Sequence, residues 1–214
     1  MKRNWRSIRV GSFLGILAAG AVLAGGEGKK FDKGRLDPSW FGPSVEFRTT
    51  DDIDYLWIKS GFSIKSRKLL IDKWSDPVFL GEERDAKDSA KASELTELMP
   101  SRMRGALAAT LSGAAEVSRD EGDIVVTGRI VDCSAGSKAA KILVGMGAGA
   151  ASATFDIKLT DKASGELLAA IHHRVISGTA MSEVDDKIVK WLEIFGKAVH
   201  DDLGVAASAK PAKK

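Results

Sequence analysis

The stretch TFDIKLTDKASGELLAAIHHRVI, Thr154–Ile176, opens with strict alternation: Phe155, Ile157 and Leu159 fall on one side, Asp156, Lys158 and Thr160 on the other. That is the period of a β-strand with one face turned to a core and the other to solvent. Asp161-Lys-Ala-Ser-Gly165 then interrupts the pattern, and the apolar run from Leu167 to Ile176 resumes it. Two strands separated by so short a turn predict an antiparallel hairpin, with Gly165 supplying the turn conformation.

Upstream, Ile124, Val126 and Ile130 alternate with Val125, Thr127, Arg129 and Val131. Both faces carry apolar residues, as expected for a central strand covered on each side. Further candidate strands are Tyr55–Ile58, which joins aromatic and branched residues, and Lys68–Trp74, which Asp76-Pro77 interrupts. Between Asp85 and Leu111 the period becomes helical, with Ala92, Leu95, Met99, Met103, Leu107 and Leu111 on one side. Pro100 removes an internal amide donor, so the spacing predicts a kink or two consecutive helices, the second capped by Ser101. A last helix runs from a Ser182 cap, with Asp185 three residues on, through Val184, Ile188, Trp191, Leu192, Phe195, Val199 and Leu203 to Gly204. The pattern predicts an α+β fold: a mainly antiparallel sheet with two amphipathic helices packed on one face.

The chain divides as follows. Basic MKRNWRSIR precedes the apolar run VGSFLGILAAGAVLAGG, a signal-peptide pattern over residues 1–25 with cleavage near Ala24; an uncleaved inner-membrane anchor is the alternative. Gly26 stands where a lipid-bearing cysteine would be needed, so this site is not a lipoprotein box. Residues 26–52 read as an extended leader, in which Trp40 and Phe41 cover an edge of the core; 53–204 read as a single α+β domain and 205–214 as a disordered basic tail. This organisation predicts an exported protein, periplasmic or envelope-associated.

Charge and motifs exclude several functions. Lys2, Arg3, Arg6 and Arg9 hold four of the 32 basic residues; with them set aside, 28 basic residues face 29 acidic ones, which argues against nucleic acid as a partner. Peripheral contact with membrane or cell wall is open to the lysines of the tail and, if exposed, to Trp40 and Phe41. Cys133, the single cysteine, cannot form an intramolecular disulfide and reads as a buried small residue. His172 and His173 are adjacent, so a regular strand turns them to opposite faces and they cannot share a metal; His200 stands among helix-end carboxylates. No GxSxG, HExxH or cysteine-pair motif is present, and no catalytic, metal or cofactor site is predicted.

The segment GSKAAKILVGMGAGAASA, Gly136–Ala153, lies between the two central strands. Gly145 and Gly147 approach a dinucleotide fingerprint, but the order helix, glycines, strand is the reverse of what a pyrophosphate site requires. The candidate contact residues are Gly136, Ser137, Lys138, Lys141, Ile142, Leu143, Gly145, Met146, Gly147 and Gly149. Two uses stand open: a partner or self-association contact through the apolar group, or an anion site in which Ser137, Lys138, Lys141 and glycine amides hold a negative charge.

Thr127-Gly128, Gly136-Ser137, Ala139-Ala140-Lys141, Val144-Gly145-x-Gly147-Ala148-Gly149 and the hairpin turning at Gly165 together resemble the bacterial envelope family known as domain of unknown function 4410. The resemblance covers about Leu56 to Leu203, with Lys138 and Lys141 where the family carries basic residues. It implies an exported, often lipidated envelope protein and no particular activity; Gly26 departs from the lipidated pattern. The function expected is that of a non-enzymatic periplasmic protein, an interaction or assembly component that binds an envelope protein partner or itself.

Overall fold

The computed structural model describes residues 35–80, 84–136, 150–177, 187–188 and 190–197. In chain order the elements are α1 (Pro38–Phe41), β1 (Tyr55–Ile58), β2 (Lys68–Ile71), α2 (Ala86–Thr110), β3 (Glu116–Ser118), β4 (Ile124–Ser134), β5 (Ser152–Asp161) and β6 (Leu167–Ile176). A final helix, α3, has described residues 187–188 and 190–197.

One six-stranded sheet runs in the order β1-β6-β5-β4-β2-β3. Its centre is the predicted hairpin: β5 and β6 are antiparallel, and Gly165 turns between them with φ of 71°. The sheet is mixed, however, rather than mainly antiparallel, because β2 lies parallel to both β3 and β4. The reason is α2, a crossover that carries the chain back to the start of β2 before β3 begins, as a parallel pair requires. From β3 the chain crosses β2 at Gly122, where a Cβ would lie 2.5 Å from the Leu70 amide nitrogen and 2.8 Å from the Lys68 carbonyl oxygen. After β2 the segment 72–80 runs along β4, donating amides of Asp72, Ser75, Val78 and Leu80 to the carbonyls of Val126, Gly128, Ile130 and Val131.

The predicted long helix forms as one element, with the Asp85 carboxylate accepting the Asp88 amide as its N-cap. It does not break at Pro100, and Ser101 is no cap: its hydroxyl donates 2.9 Å back to the Leu98 carbonyl. Burial of Leu95, Met99, Met103 and Leu107 on both sides of the proline holds the two halves in register.

Register separates the two faces of the sheet. Leu56, Leu69, Ile71, Ile124, Val126, Ile130, Phe155, Ile157, Leu159 and Ile171 form the main core. Against this face pack α2 and α3: Trp191 meets Phe155 at 4.8 Å, and α3 comes so close to α2 that a Cβ on Gly196 would strike Thr110 Oγ1. The opposite face, read from the alternation as solvent-facing, is covered. Asp156 is completely buried there. Its cover comes from the stretch read as an extended leader, within which Pro38–Phe41 form a single helical turn; residues 35–48 are called the strap below.

Candidate functional site

Of the predicted contact residues, Gly136 alone is among those described; Ser137, Lys138, Lys141, Ile142, Leu143, Gly145, Met146, Gly147 and Gly149 lie outside them. The base of their segment is well defined. Ser134 is the register partner of Ser152, so residues 135–151 join two adjacent antiparallel strands. On the outgoing side the Asp88 carboxylate accepts the Ala135 amide at 2.7 Å, and Lys87 donates to the Gly136 carbonyl at 2.9 Å. On the return, Ala151 donates to the Ser177 hydroxyl at 2.9 Å and accepts the Ser177 amide at 2.8 Å. Cys133 is fully buried here, and burial, reinforced by the charges of Asp88 and Asp132, pushes its thiol up to about 12. It is therefore a protonated packing residue, as its position in the strand led one to expect.

The second face holds a polar cluster that sequence reasoning missed. Arg129, Asp156 and His172 are register neighbours on β4, β5 and β6. Arg129 Nε donates to Asp156 at 2.7 Å, and the other oxygen of that carboxylate lies 2.7 Å from His172 Nδ1. The strap closes over them: Asp37 reaches Arg129 at 3.5 Å, and the Trp40 ring lies under both Arg129, 4.4 Å from its centroid, and Lys158, 3.9 Å away. An edge-to-face chain of Phe41, Phe47 and Tyr55 ends on His172. Further along, Asp132 is gripped by Arg84 through two bonds of 2.6 and 2.8 Å and by Arg35 of the strap at 2.6 Å.

These positions shift two of the charged groups. Burial, then the charge of Arg129, lowers the Lys158 ammonium below its ordinary value, with Asp156 partly opposing. The Ser39 hydroxyl and amide, with Arg129, hold the Asp37 carboxyl below its ordinary range against a smaller effect of burial. A histidine oriented by a carboxylate is the geometry of a general base, but His172 is 1% exposed and a substrate cannot reach it while the strap is seated. The described residues contain no group of His, Cys, Asp and Glu suited to hold a metal ion. None of their helices is long and apolar enough to cross a membrane.

His173, on the other face as predicted, pairs with Asp54 at 3.0 Å and stacks on Trp191 at 4.6 Å, so it pins α3. Signals for the second-face cluster did exist in the sequence: Arg129 and Asp132 are charged positions in a mostly apolar central strand, and His172 follows the run Leu-Leu-Ala-Ala-Ile. At the opposite end of the sheet a shallow pocket of about 550 Å³ is lined by Arg67, Lys68, Ser112 and Gly113 among others. Its cations are already engaged, Arg67 by Asp123 and Asp161, Lys68 by Glu116 and Glu121.

Among solved structures, the chain is similar to the PelC dodecamer from Paraburkholderia phytofirmans, at 10% identity over 67% of this chain and 95% of that one, with a TM-score of 0.43. It is likewise similar to a protein from Xanthomonas campestris of family DUF330, at 15% identity over 68% of this chain and 89% of that one, with a TM-score of 0.42. No curated protein matches the sequence. A family model does match over residues 58–181, from the end of β1 to beyond β6, and the chain belongs to the family described as Domain of unknown function (DUF4410).

Proposed function

We propose that this chain is a non-enzymatic protein of the bacterial cell envelope, exported to the periplasm, that assembles with itself or with an envelope protein through the connection between β4 and β5. The observation that carries this reading is the length of that connection. Adjacent antiparallel strands whose ends pair, as Ser134 and Ser152 do, need about two to five residues to close a turn. Residues 135–151 stand there instead. Surplus chain at the end of a rigid sheet is where proteins place binding function, because it tolerates any sequence that the fold does not need. Its composition suits a protein contact: Ile142, Leu143, Val144 and Met146 supply apolar area, and the glycines allow close backbone approach. At its flank Ile176, opposite Ser152, leaves 47% of its surface exposed.

The test is cell fractionation with intact-mass measurement of the recovered protein, followed by cross-linking of wild type and a Gly147→Trp variant. The reading expects a mass lacking about 24 N-terminal residues, as for a secretory signal peptide, and a cross-linked complex that the substitution removes. A cytoplasmic full-length protein, or a complex indifferent to the substitution, overturns it.

A further inference from the structure

Three features of the strap single it out among the described segments. Its hold on the sheet is made by side chains: the backbone hydrogen bonds within 35–47 are local, Trp40 to Asp37 and Gly42 to Pro38, and backbone pairing with β1 begins only at Arg48 with Leu56. It joins the sheet through a turn in which Thr50 accepts and donates across to Ile53, so one short connection sets where it lies. And its contacts fall on charged groups: Asp37 is a second partner for Arg129, and the Trp40 ring lies against both Arg129 and Lys158, so these contacts are lost whenever it leaves.

We infer that the strap is exchangeable between copies, residues 35–48 of one chain seating on the Arg129–Lys158 face of a second. The occupant follows from complementarity: a face that sets a guanidinium and an ammonium against an indole, and takes a carboxylate beside them, accepts an identical Asp37–Trp40 segment from a neighbour through the same contacts. Exchange then keeps the strap's contacts with the face and gives up the Thr50–Ile53 turn and the effective concentration of the tethered strap, which makes it dependent on protein concentration. This surface is separate from the β4–β5 connection, and the inference does not rest on the function proposed for it.

Complementation tests it on the full chain. Trp40→Ala removes the indole but keeps the face; Lys158→Glu damages the face but keeps the strap and the Arg129–Asp156 bond. Native mass spectrometry is expected to find more heterodimer in the mixture than homodimer in either variant alone. A peptide of residues 35–48 is expected to raise the melting temperature of the Trp40→Ala chain and to leave the wild type, whose own strap competes, little changed. A mixture without heterodimer overturns the inference, as does a peptide that fails to stabilise the folded Trp40→Ala chain or stabilises both proteins equally. Heterodimer lost on adding Gly147→Trp also overturns it and assigns the pairing to the β4–β5 connection.

Discussion

Arg129 and Asp156 are register partners on neighbouring central strands, and their side chains meet at 2.7 Å inside the sheet's second face. Replacing Asp156 with Ala leaves the buried guanidinium with the longer carboxylate contact to Asp37 beside the Trp40 ring, and takes the carboxylate from His172. Removing one partner of a buried pair costs about 3–5 kcal/mol, because the remaining charge is uncompensated. Urea unfolding of Asp156→Ala should lose that much stability, while replacement of exposed Glu97 by Ala stays within about 0.5 kcal/mol of wild type.

Lys158 gives this face a pH dependence. Its folded pKa is lowered, so between that value and 10.5 the unfolded chain binds more protons than the folded one, and stability rises with pH. Below the window the cost of burying the ammonium is fully present; above 10.5 it is gone. Lys158→Met should therefore be more favourable relative to wild type at neutral pH than at high pH. Paired denaturation curves across the alkaline range check the sign, and a difference that is flat or grows with pH contradicts the assignment.

How much of this was legible depends on whether a residue's role was written in its local period. The hairpin about Gly165 and the helical spacing of Leu95, Met99 and Met103 could be read because each buries one face, and burial imposes a period. Strand β3 could not: Glu116-Val-Ser is three residues long, only half-buried, and made a strand by the parallel partner that α2 delivers. Asp156 was misread because alternation reports polarity and not cover. Its cover is the strap, held by Asp37, Trp40 and Arg35 one contact at a time, which leaves no period to find. For the glycine-rich segment the sequence stated its length and composition, and the sheet added only where it departs and returns.

Cys133 should resist alkylation in the native state. The thiol is enclosed and held protonated up to about 12, so at pH 8 neither access nor thiolate is available. Iodoacetamide labelling followed by mass is expected to track unfolding and not surface exposure. Labelling of folded protein at the rate of a free thiol would show that the α2–β4 junction opens locally.

Two glycines should respond in opposite ways to alanine. Gly105 lies in α2 with nothing within 4 Å of the place a methyl group would take, so Ala there should stabilise the chain by about 0.5–1 kcal/mol through helix propensity. Gly128 sits under Trp74, whose Cε2 would be 2.6 Å from a Cβ, with the Asp156 carbonyl oxygen at 2.8 Å. Backbone cannot yield as a flexible side chain does, and overpacking of this kind costs about 1–3 kcal/mol. Opposite shifts in unfolding midpoint, with a change of tryptophan emission for Gly128→Ala alone, are the expected result.

Pro100 is the sharpest test of what holds α2 together. Within a helix a proline withholds the amide that would bond the carbonyl four residues back, here that of Thr96, and its ring crowds the same turn. The helix continues regardless because Met99 and Met103, on either side, are both buried against the sheet. If packing alone overrides the proline, Pro100→Ala restores the missing bond without altering the helix. Stability then rises by about 1–3 kcal/mol, the intrinsic difference being about 3, and far-UV circular dichroism stays close to wild type. A marked gain in helical signal would mean instead that the wild-type helix is broken at Pro100 in solution, and that its second half is held by the sheet rather than by the first half.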